Sequence, residues 1–323
     1  MNARLSMLHL AAITLIGSLF CTAQLSAQTM TVTLLGTGDP SPIMEHFGPA
    51  TLVEAGDHQM LFDVGRGASI RLWQLGVSLG DIDEVFITHF HQDHINGLVD
   101  VWMTGWQPPP YGRRTVPWRV FGPTGIADIM TGFRQAMEPN IQIRIIDEQL
   151  PAEAAEAIVK EFSEDGVIFD EDGVVVTAFA VDHGEFIKPT YGYRIDYNDH
   201  SVVISGDTRF DENIIRMSEG VDLLVHEVVA AHPDLVSFDP RIQLIVDHHT
   251  TPQQAGVVFS RAAPRLAVYT HYVLLSAPGI PAVTVPEVIE MTRETYSGPL
   301  QAGADLMRFV ISDERIDVIP FIQ

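Results

Sequence analysis

The sequence predicts an α/β fold, one domain made of two similar halves. Two observations predict it. Apolar, β-branched strands come in two blocks, each accompanied by segments of helical periodicity. No linker-like stretch, low-complexity segment or short-period repeat divides the 323 residues.

In order, "MTVTLLGTGDP" predicts a strand entering a Gly/Pro turn, and "ATLVEA" and "HQMLFDVG" continue a meander. "ASIRLWQLGV" has helical spacing, "IDEVFITH" is a strand of the buried type, and "INGLVDVWMTGW" returns to the helical period. "QPPPYGRRTVPW" is a loop by composition. Either it is solvated, or it lines a pocket mouth, with Arg113 and Arg114 attracting an anion and Trp106 and Tyr111 an aromatic group. "RVFGP" predicts a strand and "TGIADIMTGFRQAM" a helix. Residues 145–172 are acidic and predict a helix with little core material. "VVVTAFAVDHG", "YGYRIDY" and "SVVISGD" open the second block of strands. "DENIIRMSEG" is a short helix and "VDLLVHEV" a strand; a loop leads to the helix "TPQQAGVVFSRAA". "RLAVYTH" is the next strand and "VPEVIEMTRETY" a late helix.

Residues 1–27 read as a secretory signal. Arg4 gives the positive start, and "LAAITLIGSLF" is apolar but short for a bilayer span. The small residues of "AQLSAQ" offer cleavage after Ala27. Residues 28–323 then form a single exported domain, periplasmic or secreted, with no membrane span. Cleavage removes Cys21, the only cysteine, so a transition-metal site must use His and carboxylates. The formal charge of −23 repels phosphate backbones and anionic membranes, which predicts no nucleic-acid partner.

"FITHFHQDHINGL" crowds His89, His91, Asp93 and His94 into one turn after a strand. Residues two apart on an extended turn point the same way, so His89 and His91 converge. Asp93 and His94 begin the next helix and can face the same cavity. Imidazole and carboxylate suit zinc. The missing ligands belong at other strand ends: His183 follows "VVVTAFAVD", Asp207 follows "SVVISG", and His271 follows "RLAVYT". His46, His58, His200 and His232 lie in polar or loop contexts and read as surface groups. His226 reads as structural, on the other strand face.

From "TLLGTGDP" to "MRFVIS" the chain resembles the metallo-β-lactamase-fold hydrolases. It is most similar to the branch holding RNase Z, the transfer-RNA 3′-processing endonuclease, and the related arylsulfatases. "LLGTG", "LFDVGRG", "THFHQDHINGL", "ISGDT", "VHEV" and "HHTT" stand in the family's order. The resemblance implies an αββα sandwich with two Zn2+ at one sheet edge. His89, His91 and His183 would hold one ion, Asp93, His94 and His271 the other, with Asp207 bridging. Asp63 in "LFDVG" would support the metal turn. Asp93 would orient the water that attacks. His249 in "DHHTT" would protonate the leaving oxygen, steadied by Glu227 in "VHEVV".

The signal and the acidity decide the expected substrate. So does the segment between Gln135 and Val174, which is acidic where RNase Z carries a basic, Gly-rich arm. "DVGRGAS" also replaces the "GEGTQ" typical of the processing enzymes. The expectation is an exported, arylsulfatase-like hydrolase of a small-molecule ester. A lactonase or phosphodiesterase, an RNase Z-type endonuclease and a non-catalytic metal-binding protein are the alternatives. Oligomeric state, a homodimer included, stays open.

Overall fold

The computed structural model describes residues 29–322, so the segment read as a signal lies outside the described residues. The first half runs β1 (Met30–Gly36), β2 (Ala50–Ala55), β3 (His58–Phe62), α1 (Ala68–Gln74), β4 (Glu84–Phe86), α2 (Gln92–Ile95), α3 (Leu98–Trp106), β5 (Trp118–Pro123), α4 (Ile126–Asp147) and β6 (Ala157–Phe162). The second runs β7 (Gly166–Glu171), β8 (Val174–Ala180), β9 (Tyr191–Tyr197), β10 (His200–Ile204), α5 (Glu212–Met217), β11 (Leu223–Ala230), α6 (Pro233–Phe238), α7 (Arg241–Val246), α8 (Pro252–Ala262), β12 (Leu266–Leu274), α9 (Val285–Arg293) and β13 (Leu300–Ala302). β14 (Arg308–Ile311) and β15 (Ile316–Ile319) return to the first sheet, giving the orders β15-β14-β1-β2-β3-β4-β5-β6 and β13-β12-β11-β10-β9-β8-β7.

The halves repeat each other. From β1 to β6 the pairings are antiparallel twice, then parallel to the edge. The run β8 to β13 has the same sequence of pairings. One apolar cluster fills the space between the sheets, and two others lie between each sheet and its helices. The layers are therefore αββα. Alternation along one strand shows why: Phe86 faces the other sheet while Val85 and Ile87 face the helices. Phe62, Phe86 and Phe121 are paired in register on β3, β4 and β5 and stack 4.8 Å apart. Each such contact adds about 0.5–1.5 kcal/mol beyond burial and stiffens the strand ends below Asp63 and His89.

Three expectations need correction. His58 and His200 are buried, not surface groups. His58 Nδ1 lies 3.4 Å from Glu84, which meets Arg119 at 3.0 Å; His200 Nδ1 lies 3.5 Å from Asp222, which meets Arg265 at 2.5 Å. The same His–carboxylate–Arg arrangement thus closes the same end of both halves. The acidic segment is not mainly helix: α4 ends at Asp147, and β6 and β7 follow as sheet edges. In "AIVKEF" Ala157, Val159 and Phe162 are half-buried while Ile158, Lys160 and Glu161 are exposed, as on an edge strand with one face in solvent, and the acidic surroundings masked it. The loop before "TPQQAG" contains the short helices α6 and α7.

The loop over residues 106–117 lies far from the strand ends that carry the histidines. α3 is nine residues long and carries the chain about 14 Å away from them. Trp106 is buried, and its indole N–H donates to Pro151 O at 3.0 Å. Arg114 is also buried, donating to Trp102 O at 2.8 Å. Tyr111 stacks on Trp73, and Arg113 faces Asp81 at 3.4 Å. None of the four lines a cavity beside the histidines; Arg113 and Arg114 border a separate one at the start of β4.

Candidate metal centre

Parallel strands deliver the site. His89 and His91 follow β4, Asp93 and His94 lie on α2, His183 follows β8, Asp207 follows β10, and His271 lies within β12. The carboxyl ends of neighbouring strands meet along one edge, so side chains far apart in sequence converge there. Gly206 has φ 60°, and a Cβ there would lie 2.8 Å from Tyr191 O. Only glycine makes that turn without a clash, and the turn aims Asp207 inward. His271 itself has φ 42°, backbone strain of the kind held at functional sites.

The structure gathers all seven residues expected as ligands. Ligand atoms of His89, His91, His183 and Asp207 lie within 4.8 Å of one another, and so do those of Asp93, His94 and His271. Asp207 Oδ2 is the centre: it lies 3.3 Å from His94 Nε2, 3.5 Å from His271 Nε2, 3.6 Å from His183 Nε2 and 3.7 Å from His89 Nε2. All but His91 are buried. Burial and the neighbouring His94 hold His89 well below the usual imidazole range. Burial likewise brings His183 down to about 4. At His271 burial is overcome by Asp207 and Asp93, which push it up to about 9. Burial works to raise Asp207, but His271 and His94 hold it well below the usual carboxylate range.

The donor chemistry suits a divalent cation. His89 Nε2 and His91 Nδ1 point at each other across 3.0 Å, and His183 Nε2 approaches the same His91 atom at 3.4 Å. His94 Nε2 and Asp207 Oδ1 are buried with no hydrogen-bond partner among the described residues. Leaving a buried polar atom unpaired costs about 1–3 kcal/mol, and a bound cation removes that cost. The His/Asp clusters are compatible with metal binding.

Behind the ligands a second set holds them. Asp63 accepts from Thr88 N–H at 2.8 Å and Thr88 Oγ1 at 2.9 Å, and its other contact is His94 Nδ1 at 2.7 Å. That bond fixes which nitrogen of His94 faces the cluster. Sequence reasoning found Asp63 but missed Thr88, whose only signal is its place just before His89. His183 is held through Nδ1 by His248 O at 2.7 Å.

Glu227 and His249 stand beside the cluster. Glu227 Oε1 accepts from Thr250 N–H at 2.8 Å and Thr208 N–H at 3.4 Å, and Oε2 lies 3.3 Å from His249 Nδ1. The His249 ring is 4.8 Å from that of His183 and 5.8 Å from that of His271. Burial, followed by the charge of Asp207, keeps the Glu227 carboxyl well above its usual range. Burial brings His249 down to about 4. His226 is fully buried against Phe259 on the other strand face, as expected.

Residues 59–272 match the family described as "Beta-lactamase superfamily domain". A protein named Ribonuclease Z from Mycobacterium avium (strain 104) is 34% identical over 283 residues, covering 86% of this chain and 96% of that protein. A Ribonuclease Z from Mycobacterium sp. (strain KMS) is 36% identical over 250 residues, covering 77% and 86%. Among solved structures, the metallo-beta-lactamase fold protein YhfI from Bacillus subtilis matches with a TM-score of 0.67 at 17% identity, covering 87% of this chain and 99% of that one. Human tRNase Z, short form, matches with a TM-score of 0.62 at 23% identity, covering 87% and 98%.

These relatives overturn two expectations. The arylsulfatase-like hydrolase of a small-molecule ester gives way to the ribonuclease alternative, and the exclusion of nucleic acid falls with it. The physical fault lies in the use of net charge. A total of −23 governs long-range attraction over the whole surface. Which bond is cut depends on a buried cluster that contributes nothing to that surface.

Proposed function

The chain belongs to the beta-lactamase superfamily, on its ribonuclease Z branch, and from that premise we propose that it is a metal-dependent endonuclease that hydrolyses a phosphodiester bond in RNA. Two zinc ions would be held, one by His89, His91 and His183, the other by Asp93, His94 and His271, with Asp207 between them. When bound they activate water and neutralise charge on the phosphoryl oxygens. Asp93 orients the attacking water; its Oδ2 is already fixed by His271 Nε2 at 3.2 Å. His249 gives a proton to the leaving ribose oxygen, and Glu227 holds the His249 ring through Nδ1. The observation that carries the reading is the position of Asp207 Oδ2, within 3.3–3.7 Å of nitrogens on four histidines. The relatives' name supplies the substrate class.

The test is cleavage of a labelled, 3′-extended transfer RNA by protein first stripped of metal and then given zinc. Cleavage restored by zinc supports the reading. Protein that binds zinc yet cuts no RNA contradicts it. Location is a separate part of the proposal: residues 1–27 direct export, and the compartment decides which RNA the enzyme meets.

A further inference from the structure

A cavity of about 660 Å³ opens beside the metal cluster, with Thr124, Ser163, Val181, Lys188, Pro189 and Tyr191 in its wall. That volume is typical of ligand sites. None of the seven ligands lines its wall, but it approaches His183 and His89 through their chain neighbours. Asp182, another wall residue, is the peptide neighbour of His183, and Tyr191 N–H donates at 3.1 Å to the carbonyl of Thr88, the residue before His89. The space beneath the cluster, between Phe62, Ile204 and His94, is only about 20 Å³ and holds nothing larger than a water. The organic part of any substrate must lie elsewhere.

The cation on the cavity wall is unusual in this chain. There are two lysines, and Lys160 sits over the Phe121 ring at 5.1 Å. Most arginines face a carboxylate, as Arg119, Arg134, Arg194, Arg261 and Arg265 do. Lys188 is exposed and makes no hydrogen bond or ion pair with a described residue. Nearby Asp182 is engaged by Arg209 at 3.0 Å and by Gly184 N–H at 3.0 Å. The attraction between Lys188 and Asp182 is a longer-range one, and Asp211 also stands in the wall. With no carboxylate in contact among the described residues, the Lys188 ammonium is open to an anion beside a phosphodiester-cleaving site.

We propose that this cavity is a nucleotide subsite, in which the nucleoside next to the scissile phosphate lies against Val181, Pro189 and Tyr191 and the following phosphate meets Lys188. The proposal rests on the ribonuclease reading and deepens it. It also answers how an anionic chain holds RNA: through one seated base and one local cation, with no broad basic surface.

Two variants test it, Lys188→Ala and Ala180→Trp, the second filling the cavity from the exposed end of β8. The readout is kcat/KM for a short RNA divided by kcat/KM for bis(4-nitrophenyl) phosphate, which has neither a ribose nor a second phosphate. General loss of active protein cancels in that ratio. Lys188→Ala should lower it about tenfold through KM and reduce the salt dependence by about one charge. Ala180→Trp should lower it at least as far and abolish binding of adenosine 5′-monophosphate to the metal-free protein. RNA cleaved with an unchanged ratio in both variants overturns the subsite and leaves the ribonuclease reading standing. Wild-type protein that cuts the chromogenic diester but no RNA overturns both.

Discussion

Glu227 Oε2 and His249 Nδ1 lie 3.3 Å apart, and neither atom has a hydrogen-bond partner elsewhere among the described residues. Each is buried, and each is shifted toward its neutral form, the carboxyl upward and the imidazole down to about 4. A buried pair that shares one proton is suited to deliver it. His249 is not one of the seven residues, although one of its ring nitrogens lies within 4.8 Å of ligand atoms of Asp207 and His271; facing Glu227 through Nδ1, it is assigned to donation and not to metal binding.

Replacing His249 with Ala should therefore leave zinc content unchanged and slow cleavage according to the leaving group. The loss should be about 10²–10⁴-fold for a ribose oxygen and small for nitrophenolate, which departs without a proton. Glu227→Gln should show the same dependence more weakly. Rates on RNA and on nitrophenyl diesters, with zinc measured in each variant, check this. Equal losses on both substrates, or loss of zinc, would remove His249 as the acid.

Asp305 ties a loop to the site from across the chain. It accepts from Thr37 N–H at 2.9 Å, Phe47 N–H at 2.8 Å and Arg71 Nη2 at 2.7 Å, and Thr37 O in turn accepts from Tyr272 N–H beside His271. Its burial works to raise the carboxyl, but contacts from His46, Phe47, Thr37 and Arg71 outweigh that and hold it below its usual value. A folded value below the unfolded one means stability that is present above about pH 4 and is lost as the pH falls through the folded value. Asp305→Ala strands the buried Arg71 guanidinium and should cost about 3–5 kcal/mol at neutral pH. Denaturant melts at pH 7 and pH 3 check both parts: the gap between variant and wild type should narrow at the lower pH. A variant as stable as wild type at pH 7 would contradict the anchor.

Export predicts a mature N-terminus near residue 28. N-terminal sequencing of protein taken from a cell-envelope or secreted fraction reads it directly. An intact Met1 on protein confined to the cytoplasm would remove the export proposal and leave the chemistry untouched.

The site was legible because its core motif is local. "THFHQDH" places its groups through one turn, His183 and Asp207 each end an apolar run, and His271 follows one inside β12, so that neighbouring strands present these side chains at a common edge. The two-half α/β plan was legible from the same periodicity. What stayed hidden depends on distance in three dimensions. Thr37 and Asp305 are 268 residues apart, and no pattern links them. Arg113 and Arg114 follow the metal motif in sequence, but α3 carries them to the opposite end of the sheet. His58 and His200 sit in polar hairpins that would suit surface groups; only the sheets show that Glu84 and Asp222 lie beside them. Substrate class failed for a different reason: a summed charge does not describe a local site.

The most direct measurement titrates zinc into the chelated, metal-free protein and follows bound metal and RNA cleavage in the same samples, for wild type and Asp207→Ala. The account predicts that wild type binds two zinc ions per chain and that cleavage rises with the bound metal, while Asp207→Ala loses metal and cleavage together. Full RNA cleavage by the metal-free wild type, or by Asp207→Ala without bound zinc, would contradict it.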